Sequence, residues 1–262
     1  GLTMGYARLS AGRTSVIIDA GPPATGNASY NAHASTLAFE LTSGRRPLIV
    51  SCGSGAHLGP DWHRAGRATP SHSTLCLGGY SSARLGKPVK TSGLFREFLV
   101  EAPKIVPVEM SQTAEGVKFE GAHSGYVPPF GLTHARKLSL SLDGRSLVGE
   151  DLLIALNDTT GKAAETVLSE DIDPNVDFQI RFHLHPEVDA ALDLGGTTVA
   201  IAAKSGEIWI FRHESNLFLT IEPGVYLEKN QPTPRASRQI VLSGMVNDAL
   251  TRAQWSLSKT QD

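Results

Sequence analysis

Strict period-two alternation recurs along this chain and leaves little room for a helical architecture. Phe178, Ile180, Phe182 and Leu184 alternate with Asp177, Gln179, Arg181 and His183, the pattern of a strand with one buried face. Leu138, Leu140 and Leu142 alternate with Ser139 and Ser141, and Asp143-Gly144 follows as a hairpin signal. Leu37, Phe39 and Leu41 repeat the pattern. So do Ile208 with Ile210, Leu217 with Leu219 and Ile221, Ile240 with Leu242, and Trp255 with Leu257. Turn signals separate the runs: Ser43-Gly44, Gly78-Gly79, Gly195-Gly196, Ser205-Gly206 and Pro223-Gly224. No segment carries a 3.6-residue period between recognisable caps. The expectation is an all-β chain, a large antiparallel two-sheet β-sandwich, with residues 84–104 and 228–238 as long loops or edges.

At 262 residues the chain is long enough to build its own core, and its length leaves one or two domains open, since a single β-sandwich can reach this size. Lys and Arg total 24 against 26 Asp and Glu. That balance lacks the basic excess of a nucleic-acid surface, so no nucleic-acid partner is expected. No apolar run approaches the roughly 18–20 residues of a membrane span. The N-terminal residues show no basic segment leading into a long apolar stretch, so no signal peptide is visible. Cys52 and Cys76 read as two buried thiols, with a disulfide between them left open.

Nine histidines are present, and several stand where strands begin. Tyr30-Asn31-Ala32-His33-Ala34-Ser35 precedes the run from Thr36 to Leu41. Arg67-Ala68-Thr69-Pro70-Ser71-His72 precedes Leu75–Leu77, and an arginine suits bidentate recognition of a carboxylate. His123-Ser124-Gly125-Tyr126 and His134-Ala135-Arg136 bring acid–base side chains together. Polar groups at sheet rims are common places for sites. The bland alternatives are a satisfied rim histidine at His33 and an Arg67 that caps loop carbonyls. His183 and His185 share one strand face, a geometry open to a metal but more typical of a solvated polar face. Asp158, Asp171, Asp173 and Asp177 form an acidic stretch without EF-hand spacing, which reads as a solvated loop.

Together the blocks NAHASTLAFELTSGRRPLIVSCGS, RATPSHST, AHSGY, FGLTHARKLSL, FHLHPEV and RQIVLSG, in this order, resemble the C-terminal β-sandwich of heparinase II/III-like polysaccharide lyases. The resemblance implies an antiparallel sandwich, an N-terminal (α/α) toroid outside this chain, and β-elimination at a uronic acid of an acidic polysaccharide. It implies residence in the periplasm or cell envelope. Asn31 stands where the family has a catalytic histidine, while His33 and His72 stand at positions of metal ligands. Ser51 replaces the expected ligand carboxylate, so the implied zinc is bound weakly or not at all, because structural zinc takes four ligands. Cys52 is one position away, on the other face of a strand.

On this resemblance residues 1–262 form one sandwich domain, Asn31, His72, His123 and Tyr126 are the catalytic candidates, Arg67, His134 and Arg136 the substrate-binding ones, and His33, Arg67, His72, His123 and Tyr126 are expected to line or support the rim facing the toroid. Two rival readings stay open: a non-catalytic carbohydrate-binding or scaffold domain with an eroded site, and a cupin-like metal enzyme. The isolated chain is expected not to cleave polysaccharide, because elimination needs neutraliser, base and acid placed to within about 1 Å around one sugar.

Overall fold

The alternation becomes two large antiparallel sheets in the computed structural model, which describes residues 1–155, 175–214, 216–247 and 249–262. Among the described residues the first sheet runs Leu2–Thr3, Tyr6–Ala11, Thr14–Asp19, Phe39–Ser43, Arg46–Val50, Asp177–Leu184, Arg235–Met245 and Phe218–Tyr226, with Leu75–Leu77 also paired to Asp177–Leu184. The second runs Val108–Gln112, Gly116–His123, Thr133–Ser141, Ser146–Ile154, Leu250–Gln261, Ile208–His213, Thr198–Ala202 and Asp189–Asp193. Of the acidic stretch, Asp158, Asp171 and Asp173 lie outside the described residues.

The inward parity of each strand supplies the core. Phe178, Ile180 and Phe182 from the first sheet and Leu138, Leu140, Leu147 and Leu257 from the second belong to one buried cluster. Phe39 stacks on Trp255 at 5.5 Å between ring centroids, and Phe182 meets the same indole edge-on at 4.7 Å. Aromatic pairs at these separations add to the area they bury. Asp143-Gly144 turns the hairpin from Thr133–Ser141 to Ser146–Ile154 as the sequence predicts.

One turn expectation is overturned, and two segments expected as loops or edges gain detail. Pro223-Gly224 is no turn: it lies inside Phe218–Tyr226, an edge strand at the end of the sheet order, where a missing N–H costs least. Residues 84–104 stay outside both large sheets and form small pairings of their own, with Val89–Thr91 against Leu94–Arg96 and Leu99–Glu101 against Arg84–Leu85. The segment 228–238 is part strand, since Arg235–Met245 begins inside it.

One element escaped the pattern altogether. The helix Pro60–Arg67 has eight residues, too short for a 3.6 period to stand out, although Pro60 at its first position is a start signal. Gly66 lets it seat against the loop at residues 53–54, where a Cβ would lie 2.5 Å from the Gly53 carbonyl oxygen. The helix thereby fixes the rim loops that carry Ser51 and His72.

Candidate functional site

Two histidines from separate loops meet at the rim of the first sheet. His33 follows the 3₁₀ turn Gly26–Asn31, and His72 follows the turn Thr69–Ser71. His33 Nδ1 lies 3.1 Å from His72 Nε2, and His72 Nδ1 lies 3.0 Å from Ser51 Oγ. Neutral rings share such a contact only when one donates and the other accepts. Burial holds His33 down at about 4, helped by the charge of Arg67, and holds His72 down at about 3, helped by His33. Both are therefore neutral at pH 7. Asn31 is exposed beside them, and these residues line one cavity of about 600 Å³.

The other candidates are interior. Arg67, His123 and Tyr126, expected to line or support the rim, are 2%, 2% and 0% exposed and so sit beneath it, and the substrate-binding candidates His134 and Arg136 are both 0% exposed. Arg67 donates to the carbonyls of Ala32, Glu97 and Ser29, so its guanidinium ties loops together. Tyr126 donates its hydroxyl to the Leu75 carbonyl at 2.8 Å, and burial pushes its phenol well above the ordinary range.

His123, His134 and Arg136 belong to a network centred on Asp151, a residue the sequence reading missed. Asp151 accepts from His134 Nε2 at 2.7 Å, from Arg136 Nε at 2.8 Å and Nη2 at 3.1 Å, and from Trp255 Nε1 at 3.0 Å. These contacts fix the tautomers. His134 donates through Nε2, so its Nδ1 accepts from His123 Nε2, and His123 Nδ1 accepts from the Gly125 amide. Arg136 Nη1 reaches across to the carbonyls of Leu37 and Ser73, joining the second sheet to loops of the first. Burial raises the Asp151 carboxyl; the charge and hydrogen bonds of Arg136 and His134 together outweigh it and hold the group well below the usual carboxylate range. Every polar atom of this cluster that the chain brings together has a partner, which is what burial demands.

The donor set does not fit the zinc that the resemblance implies. Both ring nitrogens of His72 are engaged, and Ser51 stands beside it in place of a carboxylate. Cys52 turns its thiol to His183 Nδ1 at 3.4 Å, away from the pair, and burial pushes that thiol up to about 11. His183 is buried and its Nε2 donates to Pro70, while His185 packs on Tyr226, so the two do not share a solvated face. Among the described residues no three His, Cys, Asp or Glu side chains converge to hold a metal.

A family profile described as heparinase II/III-like, C-terminal, matches residues 1–256. The chain belongs to this family. Within the heparinase II/III-like family it is similar to FtsZ-localized protein C of Caulobacter vibrioides, with 30% identity over 263 residues. That match covers 98% of this chain and 42% of the relative. Among solved structures, the heparan sulfate lyase HepC of Pedobacter heparinus superposes with a TM-score of 0.65 at 15% identity, over 95% of this chain and 33% of that one. A heparinase III gene product gives 0.70 at 14% identity, over 100% and 36%. At these identities the likeness shows the shared sandwich. The chain spans 42%, 33% and 36% of the length of these three proteins.

Proposed function

We propose that these residues are the non-eliminating β-sandwich of a heparinase II/III-like protein, a domain that contacts a glycan or scaffolds its assembly without cutting it. The observation that carries this is the closed Ser51–His72–His33 chain at the rim. Elimination at a uronate needs a base poised near the working pH and a donor that neutralises the carboxylate. Imidazoles held at about 3 and 4 are weak bases at pH 7. The nearby guanidiniums of Arg67 and Arg136 are committed to carbonyls and to Asp151. The name of FtsZ-localized protein C supports the same direction, and we extend it to this chain as a scaffold role in a protein found with FtsZ.

The length of the matched proteins outside the match leaves room for an N-terminal (α/α) toroid in the same protein. A lyase that completes its constellation on that toroid, acting on acidic polysaccharide in the periplasm or cell envelope, is the second reading, favoured by the family profile. The test is to incubate the full-length protein with heparan sulfate, alginate and hyaluronate and follow the ultraviolet absorbance of unsaturated uronate ends. A flat trace is expected. A steady rise lost on His72→Ala supports the second reading instead. Co-sedimentation with FtsZ polymers tests the scaffold role, and absence of FtsZ from the pellet removes it.

A further inference from the structure

The cavity beside His33 and His72 carries the wrong charge for a uronate. Asp19 and Glu40 line it, and among the described residues no Lys or Arg does. The register explains why. Tyr6 pairs with Asp19 across adjacent strands, and Ile17, two residues before Asp19 on the same face, pairs with Glu40. Tyr6, Ile17, Asp19 and Glu40 thus share one face of three neighbouring strands, with Tyr6 55% and Ile17 37% exposed. The phenol of Tyr6 is held above its ordinary range by the Asp19 charge first, then by burial and by Glu40, so the ring and both carboxylates lie in one field.

Each carboxylate is set in place. Ser35 Oγ donates to Asp19 Oδ2 at 2.5 Å, and the Ser51 amide donates to Glu40 Oε1 at 3.1 Å. The two neutral histidines add no positive charge. Asn31 and Ser54, both exposed, border the same space and supply donors and acceptors for hydroxyl groups. A volume of about 600 Å³ falls within the range of small-molecule sites. An ammonium group is stabilised by carboxylates and by the face of a tyrosine ring, whereas a carboxylate ligand meets repulsion here.

We propose that this cavity binds an amine-bearing sugar, its ammonium answered by Asp19, Glu40 and the Tyr6 ring, and that it rejects uronates. The proposal rests on the reading of the rim as a glycan-contacting surface, but not on whether the protein cleaves or accompanies FtsZ. Its test is separate from the absorbance and sedimentation assays.

Ligand-observed saturation-transfer NMR on the full-length protein, with glucosamine, N-acetylglucosamine and glucuronate at equal concentration, reads the discrimination. Glucosamine is expected to bind, N-acetylglucosamine at least about tenfold more weakly, because acetylation removes the charge that the carboxylates and the ring answer, and glucuronate not at all. Glu40→Gln at an exposed position and Asp19→Asn, which keeps an acceptor for Ser35, are each expected to weaken glucosamine several-fold with an unchanged melting curve. Raising salt is expected to weaken it further. Glucuronate binding as well as glucosamine overturns the proposal. So does glucosamine binding that survives both substitutions in a folded protein. So does glucosamine giving no saturation-transfer signal at all.

Discussion

Gly149 stands directly across from Trp255 in adjacent strands, and a Cβ at Gly149 would lie 2.1 Å from indole Cζ2. The indole cannot retreat. Phe39 stacks on it, Phe182 abuts its edge, and its Nε1 donates to Asp151. Gly149→Ala is therefore expected to destabilise by about 3 kcal/mol, the upper end for overpacking a close-fitted core. Urea unfolding checks it: the midpoint should fall while the slope stays unchanged.

Asp151→Ala tests the network at its centre. The substitution leaves the Arg136 guanidinium, 0% exposed, without its carboxylate. Removing one partner of a buried pair costs about 3–5 kcal/mol, because an uncompensated charge stays behind. The double variant Asp151→Ala with Arg136→Met should recover part of that loss, since the stranded charge goes with its partner. Chemical denaturation of the single and double variants measures the coupling directly. Equal losses in both would mean that the network contributes through packing alone.

The sandwich was legible because alternation is local. Which polar residues reach solvent was not, because that depends on what the opposite sheet places above them. A usable signal existed all the same. His134 and Arg136 share parity with Leu138 and Leu140, His123 with Phe119, and Asp151 with Leu147 and Leu153, and all of these are buried. Reading parity before chemistry would have sent the three sequence candidates inward and exposed Asp151 as their missing partner. Asp19 and Glu40 show the converse. They share the outward parity with Tyr6 and Ile17, yet strands from distant turns had to be paired before the four formed one face.

Cys52 and Cys76 are both free and buried, and burial pushes each thiol up to about 11. The thiolate is the reactive form, so its fraction at pH 7 is very small and access is closed as well. Native protein is expected to resist iodoacetamide, and both cysteines should label once urea unfolds the chain. Mass spectrometry after a timed quench distinguishes the cases. Rapid native labelling at Cys52 would mean that the loop over His183 opens readily.

Acid should unfold this protein early, and the buried histidines set the window. His72 is held at about 3, and His33 and His183 at about 4, with burial the largest cause in each. An unfolded histidine titrates near 6.5. Between about pH 6.5 and about pH 4 the unfolded chain therefore binds protons that the folded chain refuses, so stability falls as pH falls through that window. Each such histidine contributes a slope of about 1.4 kcal/mol per pH unit where the difference is complete. The depressed carboxyl of Asp151 works in the same direction at lower pH: its contribution is present above the unfolded carboxylate range and is lost below it. Urea midpoints at pH 7.5, 6.0, 5.0 and 4.5 are expected to decline steadily, with no plateau below about pH 6.5. His72→Gln removes one refused proton and should flatten the decline whatever it does to stability at pH 7.5. A midpoint that stays constant from pH 7.5 to pH 5.0 would mean that these imidazoles are protonated inside the fold, and the neutral Ser51–His72–His33 chain would fall with that result.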